Sequence, residues 1–252
     1  MRLSLLYNPR IVLERLALTS QRLRRFARLR GTPAAALSLG HIDSLELLAL
    51  LRPQTPAVIY DIGASSGTWT CLAKSLYPAA RVEAFAPRAQ PIADFHRWTA
   101  AWPDDIHLHR CALGSTERIA TMHVMDFSDA SSLLPLAEAG AREFNLHPTQ
   151  EQSVRLIPLD VLVRRENLPP PDLIKLDIQG YELEALRGAV GCLRTARSVL
   201  CEVSFREFYT GQPSFAELAV FLDAHGFSLR ALGAGTTLGA PLVQADALFT
   251  KD

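Results

Sequence analysis

Three carboxylates and a lysine stand where an α/β sheet gathers its chemistry. Asp61 closes the apolar run 57–63 and opens the turn Asp61-Ile62-Gly63-Ala64-Ser65-Ser66-Gly67-Thr68. Open α/β sheets bind ligands beyond the carboxyl ends of their strands, where the strand order reverses. Gly63 can take backbone angles closed to other residues, and Gly67 lets the next helix start close to a ligand. A dinucleotide fingerprint needs glycines at spacings of two and three, but Ser65 stands two residues after Gly63. The pattern is DxGxxxG instead. A strand-terminal carboxylate there repels a pyrophosphate and suits a cationic ligand with an ammonium group, which disfavours an NAD-dependent dehydrogenase. The structural alternative is a plain β-to-α turn.

The second half of the chain holds the other groups. Asp177 ends the apolar run 172–178, and Lys175, two residues earlier, projects from the same face of that strand. A lysine on so apolar a strand needs a partner, and Asp177 or a nearby carboxylate supplies it. Asp177 is therefore either a base or acceptor-positioning group, or half of a buried structural pair. Glu202, in LCEVSF, stands at a pocket mouth or satisfies backbone donors. Glu182 suits the positive N-terminus of the helix it opens and is as much a structural as a catalytic candidate. Phe208 and Tyr209 line an acceptor site or form a lid. His107 and His109 share a strand face with no third ligand in sight, so no metal site is expected. There is no Cys-His signature.

Short apolar runs alternating with helical segments must position these groups. Strands are expected at 57–63, 81–86, 106–112, 118–125, 172–178, 198–205, 227–232 and 245–251. Helices are expected at 69–77, 88–102, 181–193 and 214–225, with 126–152 a long polar loop. Such alternation implies a mostly parallel sheet covered on both faces. The last two strands leave no room for a crossover helix, so the closing strand is antiparallel. Residues 1–52 read as a helical appendage ended by RPQTP, and 53–252 as the main domain.

From Val58 the segment VIYDIGASSGTWT resembles the first motif of class I S-adenosylmethionine-dependent methyltransferases, in the variant of the FkbM family. The resemblance continues through AFAPRAQ (84–90), CALGS (111–115), IPLDVL (157–162) and the highly specific LIKLDIQGYELEALRGA (173–189). It closes with EVSFREFYTGQPSFAEL (202–218) and LVQADALFTK (242–251). It implies a Rossmann-like seven-stranded fold and methyl transfer, usually to oxygen, here to a hydroxyl of a sugar, glycan or secondary metabolite. S-adenosylmethionine would lie on Asp61, Gly63, Ala64, Ser65, Gly67, Thr68, Ala86, Cys111 and Ala112, with Asp177, Lys175 and Glu202 carrying the chemistry. The family usually ends its second strand in Phe-Glu-Pro, whose carboxylate holds the ribose hydroxyls; here the sequence is Phe85-Ala86-Pro87. Glu83, three residues earlier, faces the other way. Each lost charge-assisted hydrogen bond costs about 1.5–3 kcal/mol before water replaces it. The alternative is a methyltransferase-fold binding or scaffold protein with a weakened cofactor site.

Composition bounds the rest. The chain of 252 residues is 48% apolar and 21% charged, an ordinary globular balance. Its zero net charge conceals an asymmetry: residues 1–30 hold eight arginines and one glutamate, leaving 18 basic and 25 acidic side chains beyond them. That arm either packs on its own acidic body or touches an anionic partner, a membrane surface among them. Nucleic acid is not expected as a substrate. The four cysteines form no CxxC pair, and no apolar run reaches the ~18 residues of a membrane span. A cytoplasmic protein acting on a small-molecule or glycan acceptor is expected.

Overall fold

The protein's structure, a computed structural model, describes residues 20, 23, 24, 26–37, 41–52, 54–237 and 241–251. The strands are β1 Val58–Ile62, β2 Arg81–Phe85, β3 Ile106–His109, β4 Ala112–Leu113, β5 Arg118–Met125, β6 Pro148–Ile157, β7 Leu173–Leu176, β8 Ser198–Ser204, β9 Ser228–Leu232, β10 Thr236–Thr237 and β11 Leu242–Thr250. The α-helices are α1 Ile42–Ala49, α2 Thr68–Leu76, α3 Ile92–Thr99, α4 Glu138–Phe144, α5 Leu159–Glu166, α6 Glu182–Arg187, α7 Val190–Thr195 and α8 Phe215–Asp223.

The main sheet runs β10-β11-β8-β7-β1-β2-β3, with β9 also paired to β11. Pairs among β8, β7, β1, β2 and β3 are parallel, and β11 is antiparallel to β8, β9 and β10. This is a mostly parallel sheet of eight strands in seven positions, because β9 and β10 share the outer edge beside β11. The antiparallel strand is not at the edge but between β8 and β9. Strand order reverses at β1, which has β2 on one side and β7 on the other. The crevice over the ends of β1, β2 and β7 is therefore where this architecture opens.

Both faces of the sheet are covered. Leu159, Leu162, Leu186, Leu193, Leu218 and Leu222 from α5–α8 pack on one face with Tyr60, Phe85 and Ile174. The other face carries α2 together with Leu29, Leu37, Leu45 and Leu48, all in one cluster with Ile59, Val82, Leu173 and Leu248. The expected division at 52/53 thus finds no gap in the packing: the described residues from Phe26 onward form a layer of the domain. The Tyr77 hydroxyl donates to the Leu48 carbonyl, and Ser44 Oγ donates to Asp246 at 2.7 Å. Most of the arginine-rich arm lies outside the described residues, and within it Ala27–Leu29 form a 3-10 turn.

Local readings changed in three places. The expected loop 126–152 contains a 3-10 turn at Ser128–Ala130, then α4, and then half of β6. Strands β4, β6 and β5 form a second, three-stranded sheet. The first half of β6, Pro148–Ser153, is polar because it is largely exposed, which hid its period. The expected strand 106–112 splits, since the chain leaves the main sheet after His109 and enters the second at Ala112. The expected helix 181–193 breaks into α6 and α7 at Gly188, where a Cβ would lie 2.0 Å from the Gly114 carbonyl oxygen.

Candidate active site

The turn after β1 is glycine-rich because of the protein's own backbone. Gly63 has φ +88°, and a Cβ on it would stand 1.9 Å from the Asp177 carbonyl oxygen. Gly67 has φ +82°, and its Cβ would meet the Phe95 ring of α3 at 2.8 Å. The positive φ of Gly63 agrees with the backbone angles expected for it, whereas Gly67, expected to make room for a ligand, has α3 as its close neighbour. The amides of Gly63 and Ala64 donate to the Phe85 carbonyl at 3.0 and 3.1 Å, tying the turn to the end of β2. Ser65, at φ +42°, donates from Oγ to Asp129 Oδ1 at 2.7 Å.

Behind this turn lies a buried charge cluster. Asp61 and Lys175 are register partners on β1 and β7, with Lys175 Nζ 3.2 Å from Asp61 Oδ1 and 3.7 Å from Asp177 Oδ2. The closer partner is Asp61, not Asp177. Asp61 also accepts from Thr70 Oγ1 at 2.5 Å and has no exposed surface. Burial alone would favour the neutral amine of Lys175, but Asp61 and Asp177 outweigh it and hold the ammonium charged well above its ordinary range.

Asp177 itself is 41% exposed at the side chain. Gln179 holds it, donating from Nε2 to Asp177 Oδ1 at 2.8 Å and to Glu202 Oε2 at 3.1 Å. Gln179 in turn accepts from the Tyr209 hydroxyl at 3.1 Å and sits at φ +57°. Burial, then the charges of Asp177, Glu182 and Asp246, push Glu202 well above the usual carboxylate range. Glu182 accepts from the amides of Ile178 at 3.0 Å and Gly180 at 3.2 Å, so it staples the turn after β7. Its burial raises it to about 7.

Three cavities meet here, and Asp129 and Asp177 line all of them. An apolar slot of about 80 Å³ runs over the ends of β1, β2 and β4, past Gly63, Ser65, Phe85, Ala86, Cys111 and Ala112 to Tyr181. A polar pocket of about 230 Å³ is formed by Ala64, Thr68 and Trp69 with Lys175, Glu202 and Asp246. A wide cavity of about 680 Å³ opens between Asp177, Gln179 and Glu202 and the aromatic residues Phe144, Phe208 and Tyr209. Of the expected ligand residues, Asp61 and Gly67 line none of the three. Ala86 brings no carboxylate to the slot. Glu83 lies outside it, fully buried, with its oxygens 2.6 Å from Arg81 Nε and 2.7 Å from His109 Nε2. His109 also stacks on Phe85, which gives this histidine a structural role.

Sequence reading missed four side chains. Asp129 carried no motif, and Gln179 lay within the 173–189 motif without being singled out as a site residue. Arg88, buried beside the slot, donates to Ser128 O, Ser128 Oγ and Ser131 Oγ at 3.0 Å each and so pins the turn that carries Asp129. His41 precedes α1 and reaches the polar pocket. Burial, then the Lys175 charge, lower its pKa, partly offset by Asp177, Asp129 and Asp61.

A family profile, described as the methyltransferase FkbM domain, matches residues 61–229, about two thirds of the chain. The chain belongs to the FkbM methyltransferase family. It is 26% identical over 164 residues to the hexuronic acid methyltransferase AglP of Haloferax volcanii, covering 65% of this chain and 62% of that protein. It is 27% identical over 219 residues to the 2-O-methyltransferase NoeI of Sinorhizobium fredii, covering 80% and 87%. A crystal structure of an FkbM methyltransferase from Methylobacillus flagellatus superimposes with TM-score 0.51 at 15% identity, over 92% of this chain and 60% of that one. The chain thus spans less than two thirds of the length of AglP and of that crystallised relative.

The methyl donor of this methyltransferase class is S-adenosylmethionine, and the site fits it. The slot is apolar and lined by Phe85 and Tyr181, rings that suit a purine. The polar pocket offers an ammonium at Lys175, carboxyl groups at Glu202 and Asp246, and a buried, unpartnered donor at Trp69 Nε1, as an amino-acid end requires.

Proposed function

We propose that this FkbM-family domain transfers a methyl group from S-adenosylmethionine to a hydroxyl of a sugar or glycan. The observation that carries the reading is the convergence of the three cavities on Asp129 and Asp177. In this reading the slot takes the adenosine, the polar pocket the amino-acid end, and the wide cavity the acceptor. Asp129, facing the slot across from Ala86, takes the ribose hydroxyls in place of a carboxylate on β2.

When bound, S-adenosylmethionine supplies an electrophilic methyl group on a sulfonium. The chain's own residues must align an oxygen and take its proton. Asp177 faces the wide cavity, oriented by Gln179, and accepts the hydroxyl proton. Glu202, whose carboxyl burial and the neighbouring carboxylates push well above the usual range, positions the acceptor rather than deprotonating it. Lys175 fixes Asp177 from below and, through its bond to the Gly63 carbonyl at 3.3 Å, the turn as well.

AglP and NoeI, by their names, methylate a hexuronic acid and a 2-oxygen, which supports a sugar hydroxyl as acceptor. The four cysteines are free and buried, in keeping with a reducing cytoplasm. Among the described residues no helix is long and apolar enough to cross a membrane, and contact with a membrane surface is left to the arginine-rich arm.

Isothermal titration tests the donor. S-adenosylmethionine and S-adenosylhomocysteine should bind and NAD should not; binding of NAD alone would overturn the reading. Formation of S-adenosylhomocysteine with sugar hydroxyl acceptors tests the transfer.

A further inference from the structure

The wide cavity is lined by four carboxyl groups, from Asp126, Asp129, Asp177 and Glu202, and among the described residues by no Lys, Arg or His. Nearby cations already have carboxylate or hydroxyl partners. Lys175 lies closest to Asp61, Arg206 Nη2 is 2.8 Å from Glu143, and Arg88 donates to Ser128 and Ser131. Asp126 is fixed at the mouth, accepting from the amides of Phe127 at 2.9 Å and His147 at 3.1 Å. The His147 ring adds a contact at 3.0 Å on the side away from the cavity. First its backbone N–H and then its ring hold Asp126 below the usual carboxylate range.

The remaining lining is neutral. Asn145 and Gln244 present amides that can pair with hydroxyls, and Phe127, 60% exposed, adds an aromatic face to the lining. An acceptor with its own carboxylate or phosphate would meet the like charges of Asp126, Asp129 and Asp177, while burial pushes Glu202 towards its neutral form and Lys175 is already shared between Asp61 and Asp177. One like charge ~6 Å away, at an effective dielectric of roughly 40, weakens binding about tenfold.

We propose that Asp126, with the carboxylates beside it, makes this site selective for sugar hydroxyls on neutral or amine-bearing rings and excludes uronates and phosphorylated acceptors. The inference rests on the methyl-transfer reading and sets this chain apart from AglP, named for a hexuronic acid.

The test uses the full chain and methyl glycosides of the gluco, galacto and manno series, each in neutral, 2-amino and uronate form. S-adenosylhomocysteine formation is measured for each, with S-adenosylhomocysteine affinity titrated separately. The uronate should show kcat/KM at least about tenfold below its neutral counterpart. Asp126→Asn should narrow that ratio several-fold and Asp126→Lys should narrow it further. Because Asp126 lines neither the slot nor the polar pocket, S-adenosylhomocysteine affinity should report that each variant is intact. A uronate used as well as or better than its neutral counterpart overturns the inference. So does a ratio unmoved in Asp126→Asn, or no turnover of any glycoside by a protein that binds S-adenosylhomocysteine. Failure to bind S-adenosylhomocysteine would sink the donor assignment itself, and the inference with it.

Discussion

Lys175 sits between two carboxylates, and the distances separate their roles. Asp61, fully buried at 3.2 Å, neutralises the ammonium; Asp177, at 3.7 Å and 41% exposed, is turned towards the cavities. Removing one partner of a buried pair costs about 3–5 kcal/mol, because the remaining charge is left uncompensated. Asp61→Asn should therefore lower stability by about that amount. Asp177→Asn leaves the closer partner in place and should cost less than about 1 kcal/mol, while turnover falls ~10²–10⁴-fold. Urea unfolding and methyl transfer measured on both variants separate the two residues. An Asp177→Asn protein that is badly destabilised but turns over normally would make Asp177 the structural partner. The sequence offered Asp177 or a nearby carboxylate as the lysine's partner; that Asp61 is the nearer one depends on the pairing of β1 with β7, which cannot be read along one strand.

The turns are the elements that decide this site. Glu182 caps the turn after β7 through two backbone amides, and burial raises its carboxyl to about 7. A carboxyl whose folded pKa lies above its unfolded value near 4.5 contributes stability below that value and loses it as pH rises towards 7. Glu182→Gln keeps an acceptor for both amides and removes the charge. Its stability relative to the natural protein should be near unchanged at pH 4.5 and higher by roughly 2–3 kcal/mol at pH 8. Thermal melts across that range check the sign, and a variant less stable at pH 8 than at pH 4.5, relative to the natural protein, would contradict it. The β1 turn behaves differently. Gly63→Ala pushes a methyl into the Asp177 backbone and should cost more than about 3 kcal/mol, through positive φ and separation of β1 from β7. Unfolding in urea measures the loss. Normal stability with ligand affinity alone abolished would return Gly63 to the ligand.

At the scale of the whole molecule, the N-terminal layer is part of the core. Leu45, Leu48 and Leu51 pack with β1, β7 and β11, and His41 and Ser44 reach the polar pocket. A chain shortened to residues 53–252 exposes that sheet face and should lose its cooperative thermal transition; a sharp, reversible melt would show that the first 52 residues are dispensable. The sequence alone determined the alternation of strands and helices, the apolar strands at 58–62, 173–176 and 198–204, and the turn chemistry of the first motif. These are local signals, carried by the period of apolar residues and by residues suited to turns. The split of 106–113 between two sheets, the strand hidden in 148–157 and the packing of residues 29–51 depended on partners distant in the chain. So did the site. Asp129 reaches the glycine turn only because Arg88 pins its segment, and Gln179 joins Asp177 to Glu202 only because β7 and β8 lie side by side. A side chain's role there follows from which neighbours share its desolvated space, and tertiary packing alone decides that.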